Sequence, residues 1–135
     1  MKQEDGAIDA WQRASTSTGK IGAHARVMKG DMLFKQKRFD EAIDEFKLVF
    51  YGYGGTESAP EIRSLQAYAV YESARCSYVR ISEASDRMKP KLVKDSIERF
   101  TYLVENYPDQ TLAKDALKQL ETLKSIKNNP KNALR

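Results

Sequence analysis

The sequence predicts an all-α protein of antiparallel helix pairs stacked side by side, and three observations predict it. First, one segment recurs. Asp5-x-Ala7-Ile8-Asp9-x-Trp11-x-x-Ala14 returns 35 residues later as Asp40-x-Ala42-Ile43-Asp44-x-Phe46-x-x-Val49, and a degenerate copy follows at Ser96-Ile97-Glu98-x-Phe100-x-x-Leu103. A fixed period of this length marks stacked supersecondary units rather than one globular core. Second, apolar residues fall at helical spacing along nearly the whole chain, and no stretch alternates as a strand does. Third, clusters of Gly, Pro and small polar residues interrupt that pattern at helix-length intervals.

The elements follow in order. A helix over about 4–15 places Ile8, Trp11 and Ala14 on one face, and Ser15-Thr16-Ser17-Thr18-Gly19 ends it as a turn. A helix over about 21–36 carries Ala23, Val27, Gly30, Leu33 and Phe34, and the turn Arg38-Phe39-Asp40 leads into another over about 40–51. Gly52-Tyr53-Gly54-Gly55 breaks the pattern and reads as the one conformationally loose stretch. Ser58-Ala59-Pro60-Glu61 combines a capping box with an early proline, which predicts a longer helix over about 60–83. A polar turn ending at Pro90 precedes a helix over about 91–106, stopped at Tyr107-Pro108. A last helix, about 110–127, shows Leu112, Ala113, Ala116, Leu117, Leu120 and Leu123, and residues 128–135 read as a frayed basic tail.

Composition narrows the chemistry. The 135 residues suffice for one domain with a modest core, expected over 1–127, and 41% hydrophobic with 31% charged residues is ordinary for a folded helical protein. No apolar run approaches the roughly 20 residues that span a bilayer, and Met1-Lys2-Gln3-Glu4-Asp5 lacks the apolar centre of a signal peptide, so the chain as written reads as cytoplasmic with no membrane span. The net charge of +4 lies wholly in the second part, since residues 1–60 carry 9 basic and 9 acidic side chains and residues 61–135 carry 14 and 10. That excess permits an acidic partner without pointing to nucleic acid.

Catalytic and metal chemistry has little to draw on, and the expectation is a protein that is not an enzyme and holds no cofactor and no metal. One histidine, His24, and one cysteine, Cys76, fall in different predicted helices. A His-based metal site or a nucleophile and base pair would rest on them alone. Cys76 lies in Ala74-Arg75-Cys76-Ser77-Tyr78 and reads as a small buried residue. Asp40, Glu41 and Asp44 sit at a helix start, where they oppose the positive end of the helix dipole. Gly52-Tyr53-Gly54-Gly55 follows a helix rather than a strand and lacks the lysine of a phosphate-binding loop.

At these positions the chain resembles the tetratricopeptide repeat family. Gly30, Phe39, Ala42 and Phe46 match that repeat's small, aromatic, alanine and aromatic positions, and Ala74, Ser96, Phe100 and Pro108 match its small, alanine, aromatic and closing-proline positions in a second unit. Gly30 to Phe46 spans 16 residues and Ala74 to Phe100 spans 26, so about ten have been added within the second unit. The resemblance implies a short right-handed superhelix: a half repeat over 4–15, a repeat over 21–51, a lengthened repeat over 60–106 and a terminal helix over 110–127. The chain departs from the family where an apolar pair is usual early in the first helix of each unit, carrying Arg26 and Lys29, then Val70 and Ser73. Leu103-Val104-Glu105-Asn106-Tyr107-Pro108 is also similar to repeats of bacterial envelope proteins, of the outer-membrane assembly lipoprotein and Tol-Pal coordinator type. That similarity implies the periplasm or envelope if a native N-terminal portion precedes Met1.

The resemblance further implies a non-catalytic scaffold that binds a peptide or helix of a protein partner in its concave groove. Tyr68, Tyr71, Arg75 and Tyr78, at spacings of 3, 4 and 3, share one helix face, and the matching stripe in the preceding unit is His24, Val27, Asp31 and Phe34. Tyrosine and arginine offer large contact area with polar tips, which suits an interface. The alternative is that the tyrosines pack on neighbouring helices with only their hydroxyls in water. Val27, Asp31, Tyr71 and Arg75 do not reproduce the lysine and asparagine clamp by which some family members hold a C-terminal carboxylate. A second function class is self-association through the incomplete first repeat, by pairing Ile8 and Trp11 of two copies in a homodimer. A third, nucleic-acid or other anionic binding through the basic C-terminal part, rests on Arg80, Arg87, Lys89, Lys91 and Lys94 and on Lys114, Lys118, Lys124, Lys127, Lys131 and Arg135, and is diluted by interspersed carboxylates.

Overall fold

The computed structural model describes residues 6–8 and 19–128. The described residues are helical, with no strand among them: α1 (Gly19–Lys35), α2 (Phe39–Tyr51), α3 (Pro60–Tyr78), α4 (Lys89–Asn106) and α5 (Leu112–Asn128), with single 3-10 turns at Gly55–Glu57 and Ile81–Glu83. Residues 6–8 are helical as well. Four of the expected helices therefore appear within two residues of their predicted bounds. The expected helix over 60–83 ends instead at Tyr78. Its last turn tightens as the Arg80 amide reaches back to the Ser77 carbonyl, and Ile81 then turns into the core as a fully buried side chain. Beyond it, Ser82-Glu83-Ala84-Ser85-Asp86 offers no apolar stripe on which a helix could continue. The chain divides into two compact units, Met1–Ala69 and Val70–Arg135.

In the first unit α1 and α2 form an antiparallel hairpin. Phe34 stacks edge-on against Phe39 at 5.3 Å beside the connecting turn, and farther from it Gly30 faces Phe46 while Arg26 and Lys29 reach Glu45. The turn between them is a Schellman motif. The Arg38 amide bonds the Leu33 carbonyl, the Lys37 amide bonds the Phe34 carbonyl, and Lys37 takes the left-handed conformation (φ 62°) more often given to glycine. The core holds Ala23, Val27, Leu33, Ala42, Ile43, Phe46, Val49 and Phe50.

Arg26 and Lys29 are charged residues on a largely shielded part of α1, and Glu45 explains how the fold accepts them. Its carboxylate takes Arg26 Nη1 at 3.2 Å and Lys29 Nζ at 2.7 Å, and all three side chains are mostly shielded from water. Arg26 Nε also donates to the Tyr53 hydroxyl at 3.3 Å. Two cations share one anion here, so the desolvation that burial imposes is offset by charge-assisted hydrogen bonds.

The glycine-bearing stretch after α2 is not loose. The wholly buried Gln66 side chain donates to the carbonyls of Gly52 (3.0 Å) and Val49 (3.4 Å). Its oxygen accepts from Ser58 Oγ at 2.5 Å, a serine expected to open a capping box for α3. Arg63 Nη1 holds the Thr56 carbonyl at 2.6 Å. These side chains satisfy backbone groups that the end of α2 leaves open.

The second unit comprises the rest of α3, then α4 and α5. Tyr71 and Tyr78 lie over Phe100, Arg99 Nη1 donates to Ser77 Oγ at 2.9 Å, and α4 packs on α5. Three of the repeated positions have the same fate in both units: Ala42, Phe46 and Val49 are buried in α2, and Ser96, Phe100 and Leu103 in α4. Ser96 is accommodated by donating its hydroxyl to the Leu92 carbonyl at 2.7 Å.

A Cβ built on Gly30 would lie 2.5 Å from Phe46 Cε1 and 2.8 Å from Cζ. Replacing Gly30 by alanine gains helix propensity but overpacks a buried ring, and overpacking costs about 1–3 kcal/mol against at most about 1 from propensity. Gly30→Ala is therefore expected to lower the urea midpoint. Gly30→Ala with Phe46→Leu should show a favourable coupling relative to the two single variants, and strict additivity in the double-mutant cycle would refute the close-approach account.

Candidate functional site

The sequence-predicted surface is best followed along α3. Burial takes Gln66, Ala67, Ala69, Val70, Glu72, Ser73, Ala74, Cys76 and Ser77, while Tyr68, Tyr71, Arg75 and Tyr78 stay half-exposed. The 3, 4, 3 spacing thus resolves into a stripe that is neither core nor free surface. Each member is held. Tyr68 donates its hydroxyl to the Asp31 carboxylate at 3.0 Å, joining α3 to α1 within the first unit. Tyr71 and Tyr78 rest on Phe100 with ring centroids 5.4 and 6.2 Å away, both edge-on, a favoured geometry for aromatic pairs. Burial and the neighbouring Tyr71 push the Tyr78 phenol above its ordinary pKa.

Arg75 carries more structure than an exposed charge should. Its Nη1 lies 3.0 and 2.9 Å from the two oxygens of Glu72, a residue only 8% exposed. Desolvation raises the Glu72 carboxyl above the usual carboxylate range, and the Arg75 charge and hydrogen bonds work against that rise. Reversing Arg75 would leave a largely buried carboxylate facing a second one. A charge swap at Arg75 is therefore expected to cost folding stability.

The matching stripe on α1 divides. His24 is exposed, Phe34 is half-buried against Phe39, and Asp31 is engaged by Tyr68. Val27 is 1% exposed and belongs to the core, which removes it from any partner surface. Its small apolar side chain gains more from burial than a half-wet position would return. Of the pair expected to mediate self-association, Ile8 is helical and half-exposed, and Trp11 lies outside the described residues.

Cys76 is wholly buried, and desolvation, reinforced by the nearby Glu72 charge, pushes its thiol up to about 12. A thiol so placed stays protonated at neutral pH and is a poor nucleophile. Among the described residues, no three His, Cys, Asp or Glu side chains converge as metal ligands, and no helix is long and apolar enough to cross a membrane. The basic side chains Arg87, Lys91, Lys94, Lys114, Lys118, Lys124 and Lys127 are exposed, with Lys94 beside Glu98 at 4.0 Å. No family model matches the chain, and no curated protein or solved structure shows significant similarity to it.

Two outcomes follow from this geometry. An acid whose pKa is higher folded than unfolded stabilises the protein most below its unfolded pKa, and that contribution is lost as pH rises through the folded value. Removing the Glu72 carboxyl removes this loss, so the stability of Glu72→Gln relative to the parent chain should increase from about pH 4 towards neutrality. Urea midpoints across that range check it, and a pH-independent difference would be inconsistent with a raised Glu72. The Cys76 thiol should react with an aromatic disulfide reagent at pH 8 only as fast as the chain opens, with rapid labelling after addition of denaturant.

Proposed function

We propose that this chain is a non-catalytic protein-interaction module of the tetratricopeptide kind that captures a peptide or helix of a partner protein. The half-exposed face of α3 forms the contact line. Tyr68, Tyr71 and Tyr78 supply area, and Arg75 supplies a cation for a carboxylate or carbonyl of the partner. The carrying observation is the fixation of these side chains: Tyr71 and Tyr78 against Phe100, and Arg75 by both oxygens of a shielded Glu72. Side chains already ordered in the free protein lose less conformational entropy on binding, which favours them as anchors. The 35-residue recurrence and the shared burial of its equivalent positions in α2 and α4 support the array reading.

The test uses peptides selected from a random 12-residue display library on the immobilised chain. Two variants probe them, Tyr71→Ala and the neutral pair Glu72→Gln/Arg75→Gln, which removes the charge without stranding a buried carboxylate. Each is expected to weaken selected peptides by roughly 1–3 kcal/mol, the range of interface hot spots. The neutral pair should melt close to the parent. Undiminished binding to both variants would place recognition elsewhere on the chain.

A further inference from the structure

The second unit carries a groove that the α3 stripe does not use. It has a volume of about 520 Å³ and lies between the start of α4 and the end of α5. Its floor includes Val93, Ile97 and Ile126, and Lys89, Lys94 and Lys127 line its sides, with Glu98 the one carboxylate among the lining residues. Ile97 is informative because of the repeat. It occupies the position of Ile43 in the preceding copy, and Ile43 is only 7% exposed whereas Ile97 faces an open groove. Among the described residues, the same repeat position is buried in one unit and half-exposed in the other.

The shape and charge of the groove specify what fits. An acyl chain would lie half in water in so open a groove, whereas an amphipathic helix satisfies its own backbone and inserts an apolar stripe. The lysines call for carboxylates flanking that stripe. The sequence of residues 4–15 has this character: Ile8, Trp11 and Ala14 recur at helical spacing, and Glu4, Asp5 and Asp9 precede any basic residue in that segment. We propose that residues 4–15 of a second copy of this chain dock in the groove between α4 and α5, so that copies associate head to tail. Such a contact uses two different surfaces of each copy, unlike a two-fold pairing of one Trp11 face with another. Each added copy leaves a groove and an inserting segment unoccupied, so association continues beyond the dimer. A twelve-residue segment covers less than a standard interface, which makes the association weak and visible only at high concentration.

Sedimentation of the full chain from about 10 μM to about 1 mM tests this. The weight-average size should climb with concentration and pass beyond the dimer. Lys89→Glu/Lys94→Glu disables the groove at exposed or half-exposed positions in the first two turns of α4, and at residue 89 glutamate suits the helix dipole. Trp11→Ala disables the inserting segment, and Asp9→Lys does so without touching an apolar residue. Each variant alone should associate at least about tenfold more weakly than the parent. A 1:1 mixture of the groove variant with Trp11→Ala should recover one intact contact and stop at a dimer. A parent chain that stays monomeric at about 1 mM would overturn the proposal. So would a groove variant that associates like the parent, which would indicate pairing of like faces, or a mixture that fails to recover. Proton contacts between residues 4–15 and Ile97 within a monomer at low concentration would also overturn it, by showing that the segment closes on its own chain.

Discussion

The ring of Phe46 occupies the space that any side chain at residue 30 would need, and the first unit is arranged around that fact. With hydrogen alone at Gly30, α1 and α2 approach closely enough for a fully buried aromatic ring to fill the gap between them. The register set there brings Phe34 to Phe39 on one side and Arg26 and Lys29 to Glu45 on the other. A packing constraint at one glycine thus decides which polar groups meet.

Those polar meetings give the protein its second theme. Two carboxylates sit in largely shielded positions, and each is answered by cations: Glu45 by Arg26 and Lys29, Glu72 by Arg75. Apolar residues of similar volume could stabilise such sites at least as well. What the ion pairs add is direction, because a carboxylate accepts only where a donor is aimed. At Glu72 the result is a guanidinium held still at the surface by a buried partner, which is the property an interface anchor needs. The rigid backing of Tyr71 and Tyr78 by Phe100 acts in the same sense on the adjacent face.

α3 shows how a single helix can be largely buried and still present large residues at the surface. Small residues such as Ala67, Ala69, Ser73, Ala74, Cys76 and Ser77 let it be buried around most of its circumference. The large residues Tyr68, Tyr71, Arg75 and Tyr78 are confined to what remains. They cannot enter the core without displacing it, and they cannot leave it because their rings and charges already have partners within it.

Much of this was determined by local sequence. Helical periodicity and breakers placed four of the helices within two residues, because apolar spacing and turn chemistry act over a few neighbouring positions. The recurrence of Ala42, Phe46 and Val49 as Ser96, Phe100 and Leu103 marked the buried face of α2 and α4, since residues at that helical spacing share one side of each helix. Tertiary structure alone decided the rest. The end of α3 at Tyr78 depends on where Ile81 finds its core. The order of the Gly52–Ser58 stretch depends on Gln66 and Arg63, whose side chains reach it from another helix. Val27 and Tyr68 read as members of equivalent stripes, yet one is core and the other is bonded to Asp31. Arg75 read as a surface charge until Glu72 appeared beneath it. In each case the deciding energy is desolvation or a hydrogen bond whose partner depends on the folded geometry, and periodicity along the chain carries no information about which polar group is waiting there.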